Sequence, residues 1–396
     1  MTIDADPTIA ASQQPAYSRW QLVRYMLALG TWGFGGPVAL VGYMYRDLVE
    51  KRRWISESDY KEGLTLAQLM PGPLAAQLAI YLGYVHYRIV GATLVGLAFV
   101  LPSFFMVVAL GAAYVAYGGI GWMQAVFYGV GAAVIGIIAM SAWKLTTKNI
   151  GNDKLLWAIF VVSAAVTVVT QSEIVWLFLG AGIVIWFWRV PPAWLSRGKL
   201  HGVTAPLAAF FAIDAIDWHK LGQIAAYFAY AGSFVFGSGL AIVPFLYGGV
   251  VKEYAWLTDR QFVDAVAVAM ITPGPVVITT GFIGYLVAGF WGAVVAAIAT
   301  FLPCYLFTIV PAPYFKKHGK RPAIVAFVDG VTAAAIGAIA GAVVIIGQRS
   351  ITDWITATLA IVTVAVLWRF RKLPEPVVVV VAALIGLVVH PLVAHA

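Results

Sequence analysis

Two short runs hold the residue types from which this chain could build chemistry. Residues 66–84 read LAQLMPGPLAAQLAIYLGY, and residues 270–285 read MITPGPVVITTGFIGY. Proline inside a helix removes a hydrogen bond, clashes with the preceding turn and costs roughly 3 kcal/mol. In an apolar surrounding the freed backbone groups cannot turn to water, so a break persists only where protein buries it or a cavity meets it. Proline is welcome at a helix start, where its missing N–H would be orphaned anyway. Pro71-Gly72-Pro73 is therefore expected to close one half-helix and open another through Leu74, Ala75 and Gln77. The amides of Leu74, Ala75 and Ala76 would then lack an intrahelical partner. At the positive end of a helix dipole, such amides bind an anion without any basic side chain.

The device recurs. Pro273-Gly274-Pro275 repeats it, and each copy follows an earlier glycine-rich break. The first of these is Phe34-Gly35-Gly36-Pro37; the second is Phe236-Gly237-Ser238-Gly239, in which Ser238 and Gly239 replace glycine and proline. A lone Pro-Gly-Pro is as readily a simple kink. A duplicated one, paired each time with an upstream break, favours a functional cavity where up to four half-helix N-termini converge at the repeat interface. Gln77, one turn past the first break, is expected to face it.

Two acids stand at matching positions. Glu62 and Asp264 each lie nine residues before the first proline of a break. Ionisable groups inside membrane segments mark ion or proton pathways. Each also lies one or two turns inside its segment, close to Ser58 and Asp59 or Asp259 and Arg260, where a water interface is the plainer reading. Asp329 reads as interfacial, and Lys144, Lys148 and Lys154 read as loop charges. No GxxxxGK[ST], HExxH or paired Cys/His spacing is present, and no nucleophile–base set stands out. The reading is therefore of a non-enzyme with no cofactor and no metal, not driven by ATP in this chain.

The elements that must position these residues follow from composition. Hydrophobic residues make up 62% of the chain and charged ones 11%, against roughly 45–50% and 25% in soluble domains. Such a chain is expected to be an all-α, polytopic integral membrane protein, with room for about ten to thirteen spans. The polar start carries no signal-peptide pattern. The single cysteine, Cys304, excludes an internal disulfide. The net charge of +8 sits in short loops, where it sets topology rather than binding nucleic acid. Clear span candidates are 89–116, 122–143, 155–170 and 174–188, then 291–311, 324–347, 354–368 and 377–389.

The halves are copies. At a displacement of 202, Phe34-Gly35 falls on Phe236-Gly237, Trp54 on Trp256, and one Pro-Gly-Pro on the other. At 201, Gly83-Tyr84 meets Gly284-Tyr285, Pro102 meets Pro303, and GVGAAVIGIIA from Gly129 meets GVTAAAIGAIA from Gly330. Composition alone allows roughly 0.1 Pro-Gly-Pro in such a chain, so co-linear copies mean duplication. The expected organisation is a polar tail (1–19), a first repeat (20–188), a linker (189–220) and a second repeat (221–396). The uncharged loop YGGIGW is matched by KKHGKR, whereas RDLVEKRRW is matched by the balanced KEYAWLTDR. Lysine and arginine mark one side of the membrane, so equivalent loops face opposite sides. That is an inverted repeat with broken or re-entrant helices. Five crossings per half plus a re-entrant segment satisfy every loop; six, with residues 204–216 as an extra span, do so too.

FGGP followed by a basic loop with Trp54 and LAQLMPGP, duplicated as FGSG with Trp256 and ITPGP, resembles the chromate ion transporter superfamily in its long two-domain form. The resemblance runs from about Trp20 to the C-terminus. It implies a multi-pass protein of the inner (plasma) membrane that exports chromate from the cytoplasm, confers chromate resistance and draws on the proton-motive force. It also implies that the four breaks, at Phe34–Pro37, Pro71–Pro73, Phe236–Gly239 and Pro273–Pro275, meet the substrate. Chromate is a tetrahedral dianion, which suits helix N-termini lined by small residues. The residues alone support any oxyanion of that size, so sulfate transport and an anion channel remain alternative readings. The partners expected are the oxyanion, protons and the lipid bilayer, with oligomers allowed.

Overall fold

A computed structural model of the chain describes residues 17–34, 36–117, 121–170, 174–190, 218–235, 242–318, 321–351, 353–370, 373 and 375–394. Gly35, the whole Phe236–Gly239 break, residues 204–216 and most of the tail and linker lie outside them. Among the described residues the fold is all helix.

The first half opens with α1 (Arg19–Trp32) and α2 (Gly36–Met44), the latter running on into a wide turn, Tyr45–Lys51. Next come α3 (Glu57–Leu69) and α4 (Leu74–Tyr117). Starts are set locally: Ser18 and Gln21 form a capping box on α1, and Ser56 accepts the Asp59 amide at 3.0 Å on α3. α4 is not one rod. Arg88 has φ +52° and ψ −144°, and there the chain reverses, so that Gly83 packs on Gly91. α1 and α2 also fold back on each other, with the Tyr25 hydroxyl donating to the Tyr43 carbonyl at 3.1 Å. So do α3 and the first limb of α4, with Gly63 against the Tyr81 ring. The proline–glycine breaks are the tips of these two hairpins. α5 (Gly121–Asn149), α6 (Lys154–Thr170) and α7 (Val175–Arg189) complete the half.

The second half repeats the plan with α8 (Trp218–Ser233), α9 (Ile242–Leu246) and its wide turn Tyr247–Glu253, α10 (Asp259–Ile271), α11 (Thr279–Ile309), α12 (Ala312–His318), α13 (Pro322–Ser350), α14 (Trp354–Arg369) and α15 (Glu375–Ala394). Its irregularities recur in register. Gly289 (φ +61°) breaks α11 where Arg88 breaks α4, and Ala255 (φ +48°) matches Arg53 (φ +53°) in the turns before α10 and α3. Among the described residues four helices, α4, α5, α11 and α13, hold stretches long and apolar enough to cross a membrane. The expected spans starting near Ile89 and Trp291 are the outer limbs of α4 and α11. Lys144 and Lys148 depart from their reading as loop charges: both lie within α5, which continues to Asn149, and Lys154 opens α6.

The halves embrace rather than abut. α6 and α7 of the first half pack on α13 of the second, and α14 and α15 pack on α5. Small residues permit this close approach: Gly330 meets the Ala181 backbone and Gly129 that of Ala382, and likewise Gly337 meets Phe160 while Gly136 meets Ala360. Gly337 and Gly341 stand beside residues 160–163 and 164–167 in turn, so α13 runs parallel to α6. α6 returns from α5 through the short turn after Asn149; α13 therefore runs opposite to α5, its own equivalent. The repeat is inverted. At the periphery Arg189 of α7 bridges Asp153 and Asp329, each at 2.6 Å, so Asp329 is a clamp between halves rather than a lone interfacial acid.

Candidate functional site

Where the hairpin tips of opposite halves meet, backbone binds backbone. The Gly72 amide donates to the Val235 carbonyl at 2.5 Å, and the Gly274 amide donates to the Gly33 carbonyl at 3.1 Å. The donors are equivalent residues of the two repeats, and so are the acceptors. Each Pro-Gly-Pro tip thus docks on the residue that precedes the glycine-rich break of the other half, a self-complementary contact of the kind a two-fold axis produces. Gly72 sits at φ +145° and Gly274 at φ +94°, backbone regions open to glycine and strained for side chains. A Cβ at Gly72 would stand 2.6 Å from Gln77 Cδ, and one at Gly274 would run into the Ser103 hydroxyl.

At the first tip α4 begins as expected. Its first intrahelical bond runs from the Gln77 amide to the Pro73 carbonyl at 2.9 Å, which leaves the amides of Leu74, Ala75 and Ala76 upstream of it. Gln77 is fully buried. Its Nε2 turns back to the Pro71 carbonyl at 2.8 Å, while its Oε1 has no hydrogen-bond partner. A buried acceptor without a donor is costly, so Gln77 brings an unsatisfied oxygen to the break as well as a cap.

The second tip differs. Pro275 leads into a tight turn, Val276–Ile278, before α11 starts at Thr279, in place of the regular half-helix expected there. Thr279, at the position of Gln77, donates its hydroxyl to the Val276 carbonyl at 2.8 Å, and Thr280 donates to Val277 at 3.1 Å. Such short-range bonds compete with regular helix. With no glutamine to cap it, the Pro273 carbonyl accepts instead from Ser103 of the first half at 2.6 Å. Ser103 carried no signal of this in the sequence; its equivalent is the buried Cys304.

The two acids separate. Asp264 is buried, 3% exposed, and accepts a 2.8 Å bond from the Tyr114 hydroxyl across the repeat boundary. A carboxylate so placed needs that partner. Glu62 is half-buried and accepts from Tyr81 of its own hairpin at 2.7 Å. In the second repeat Phe282 stands at the position of Tyr81, beside Tyr114, which is why Asp264 reaches to the other half for a hydroxyl. The interfacial reading fits Glu62 better than Asp264. The Gly33–Gly274 junction also borders a cleft that Phe34, Thr272 and Glu375 line. Among the described residues no group of three or more His, Cys, Asp or Glu side chains is placed to hold a metal ion.

Set beside known proteins, the chain matches the family model for chromate transporters over residues 20–186 and again over 222–387. It is 71% identical over 394 residues to the chromate transport protein of Cupriavidus metallidurans, covering 98% of each chain. To the probable chromate transport protein of Synechococcus elongatus it is 62% identical, covering 94% of this chain and 96% of that one. To the chromate transport protein of Pseudomonas aeruginosa it is 30% identical, covering 95% and 94%. No solved structure matches.

Proposed function

We propose, from the premise that this chain belongs to the chromate transporter family, that it carries chromate out of the cytoplasm across the inner membrane on the proton-motive force. It is a multi-pass membrane protein built of two inverted halves. The observation that carries the reading is the reciprocal pair of tip contacts, Gly72 to Val235 and Gly274 to Gly33. It places two broken-helix tips between halves of opposite orientation, where transporters of this plan hold their substrate.

The chemistry follows from the tips. The amides of Leu74–Ala76 and the positive end of α4 offer donors to an oxyanion, in a setting where charge is weakly screened. The small residues at the tips would let a tetrahedral ion reach these amides once the tips part. Pro71, Gly72, Pro73 and Gln77 form one side of this site and Pro273, Gly274 and Pro275 the other; the breaks Phe34–Pro37 and Phe236–Gly239, which follow Gly33 and Val235 in the chain, are proposed to contribute to it. Rocking one half against the other would break one tip contact at a time and expose the ion to alternate faces. A dianion leaving a negative interior gains about 2.3 kcal/mol per charge per 100 mV, so the potential alone favours export. Asp264, buried and bonded across the halves, is the stronger candidate for proton coupling, and Glu62 the weaker.

Everted vesicles test this reading. Chromate uptake that rises with an imposed pH gradient and potential, and accumulates against its own gradient, is expected of the carrier. Flux that only ever runs downhill would make it a channel, and equal competition by sulfate would widen the substrate to oxyanions of that shape.

A further inference from the structure

The Gly33–Gly274 junction has an acid at its cleft. Glu375, the first residue of α15, lines the cleft beside Gly33, Phe34, Thr272 and Gly274. Its counterpart in the first repeat falls at Glu173–Ile174, of which Glu173 lies outside the described residues. α15 is held against α5 and α10, so Glu375 is fixed at the cleft rather than waving past it.

The charges around it can be named. On α5, Lys144 acts on Glu375 electrostatically. On α10, Asp264 and Arg260 lie two and three turns back from the Ile271 end. α14 ends in Arg369, and on α15 itself His390 lies about four turns away. The tip residues lining the cleft carry no charge.

We propose that Glu375 is a titratable gate on the anion path. As a carboxylate it repels an incoming divalent oxyanion; as the neutral acid it admits the ion and can donate a hydrogen bond to it. This rests on reading the junction as the anion site.

The test is chromate exchange in proteoliposomes of the purified full chain, with equal pH on both sides, scanned between about pH 5.5 and 8.5. Chromate's own protonation is common to all variants, so differences between profiles isolate the side chain. Parental exchange is expected to fall by up to about tenfold per pH unit once the carboxyl ionises. Glu375→Gln should flatten that fall and exceed the parent at alkaline pH, and Glu375→Asp should keep it. Lys144→Met should move it to higher pH, because the lysine favours the carboxylate. If Glu375→Gln does not insert, Glu375→Met is read the same way. A parental profile in the neutral variant, alongside exchange lost in Gly274→Val, overturns the gate and leaves the junction reading standing. Parental exchange in both Gly274→Val and Gly72→Val overturns the junction reading itself.

Discussion

Gly72 and Val235 lie in different halves of the chain, yet the amide of the first donates to the carbonyl of the second at 2.5 Å. The same bond recurs between Gly274 and Gly33. Neither bond involves a side chain, and both place a positive-φ glycine where two hairpin tips meet. This pairing fixes the relation of the two halves at their junction.

Ser103 secures the second tip. Its hydroxyl donates to the Pro273 carbonyl at 2.6 Å, and both are buried in the junction. Ser103→Ala should cost about 1–3 kcal/mol, the penalty for an unpaired buried carbonyl. Thermal unfolding of the purified protein in detergent is expected to show a lower midpoint; an unchanged midpoint would mean the carbonyl finds another donor.

Asp264 should matter more than Glu62. Asp264→Asn is expected to abolish pH-driven chromate accumulation while sparing exchange, and Glu62→Gln to reduce accumulation at most a few-fold. The contrast comes from burial and from the Tyr114 bond that links Asp264 to the other half. Full pH-driven accumulation in Asp264→Asn would return that acid to a packing role.

The inverted arrangement can be read by labelling. Glu50 and Lys252 are equivalent, exposed positions in the two wide turns. In a Cys304→Ala background, Glu50→Cys and Lys252→Cys should react with an impermeant thiol reagent from opposite sides of the membrane. Reaction of both from one side is incompatible with inversion.

The peripheral clamp carries a pH signature. The Arg189 guanidinium, hydrogen-bonded at 2.6 Å, holds the Asp153 carboxyl below the usual carboxylate range. A carboxyl depressed in the folded state contributes stability at neutral pH that is lost as pH falls through its folded value. Arg189→Gln should therefore lower stability near neutrality by about 1 kcal/mol or less per pair, given the exposure of the groups. The difference from the parent should shrink as the solution is made acidic. A gap that widened with acid would contradict the pairing.

Much of this was legible in the chain itself. The duplication, the hairpin-tip prolines and the span starts near Ile89 and Trp291 all show as spacing, because proline and glycine mark backbone geometry directly. The all-helical, inverted plan followed from hydropathy and the placement of lysine and arginine. The partners of the breaks were not legible. Val235 and Gly33 act through carbonyls, which every residue has. Ser103 and Tyr114 lie 170 and 150 residues from Pro273 and Asp264, and an isolated serine or tyrosine in an apolar span gives no sign of where it points. The short turn after Pro275 was missed because it depends on Thr279 and Thr280 competing with the helix, a balance settled by packing. Glu375 precedes an apolar run, as any interfacial acid would.

The central claim is that the paired tips hold and pass the anion, and Gly72→Val with Gly274→Val tests it most directly. Valine at either site demands a strained backbone and drives a side chain into Gln77 or Ser103. Chromate efflux is to be measured in cells and in everted vesicles, with membrane levels of each variant quantified alongside. Gly72→Val is expected to lose efflux at parental membrane levels, Gly274→Val to be strongly impaired, and Pro73→Ala to be milder, since alanine also starts helices well. Parental efflux from well-inserted Gly72→Val and Gly274→Val would show that the breaks are mere kinks and that the anion passes elsewhere.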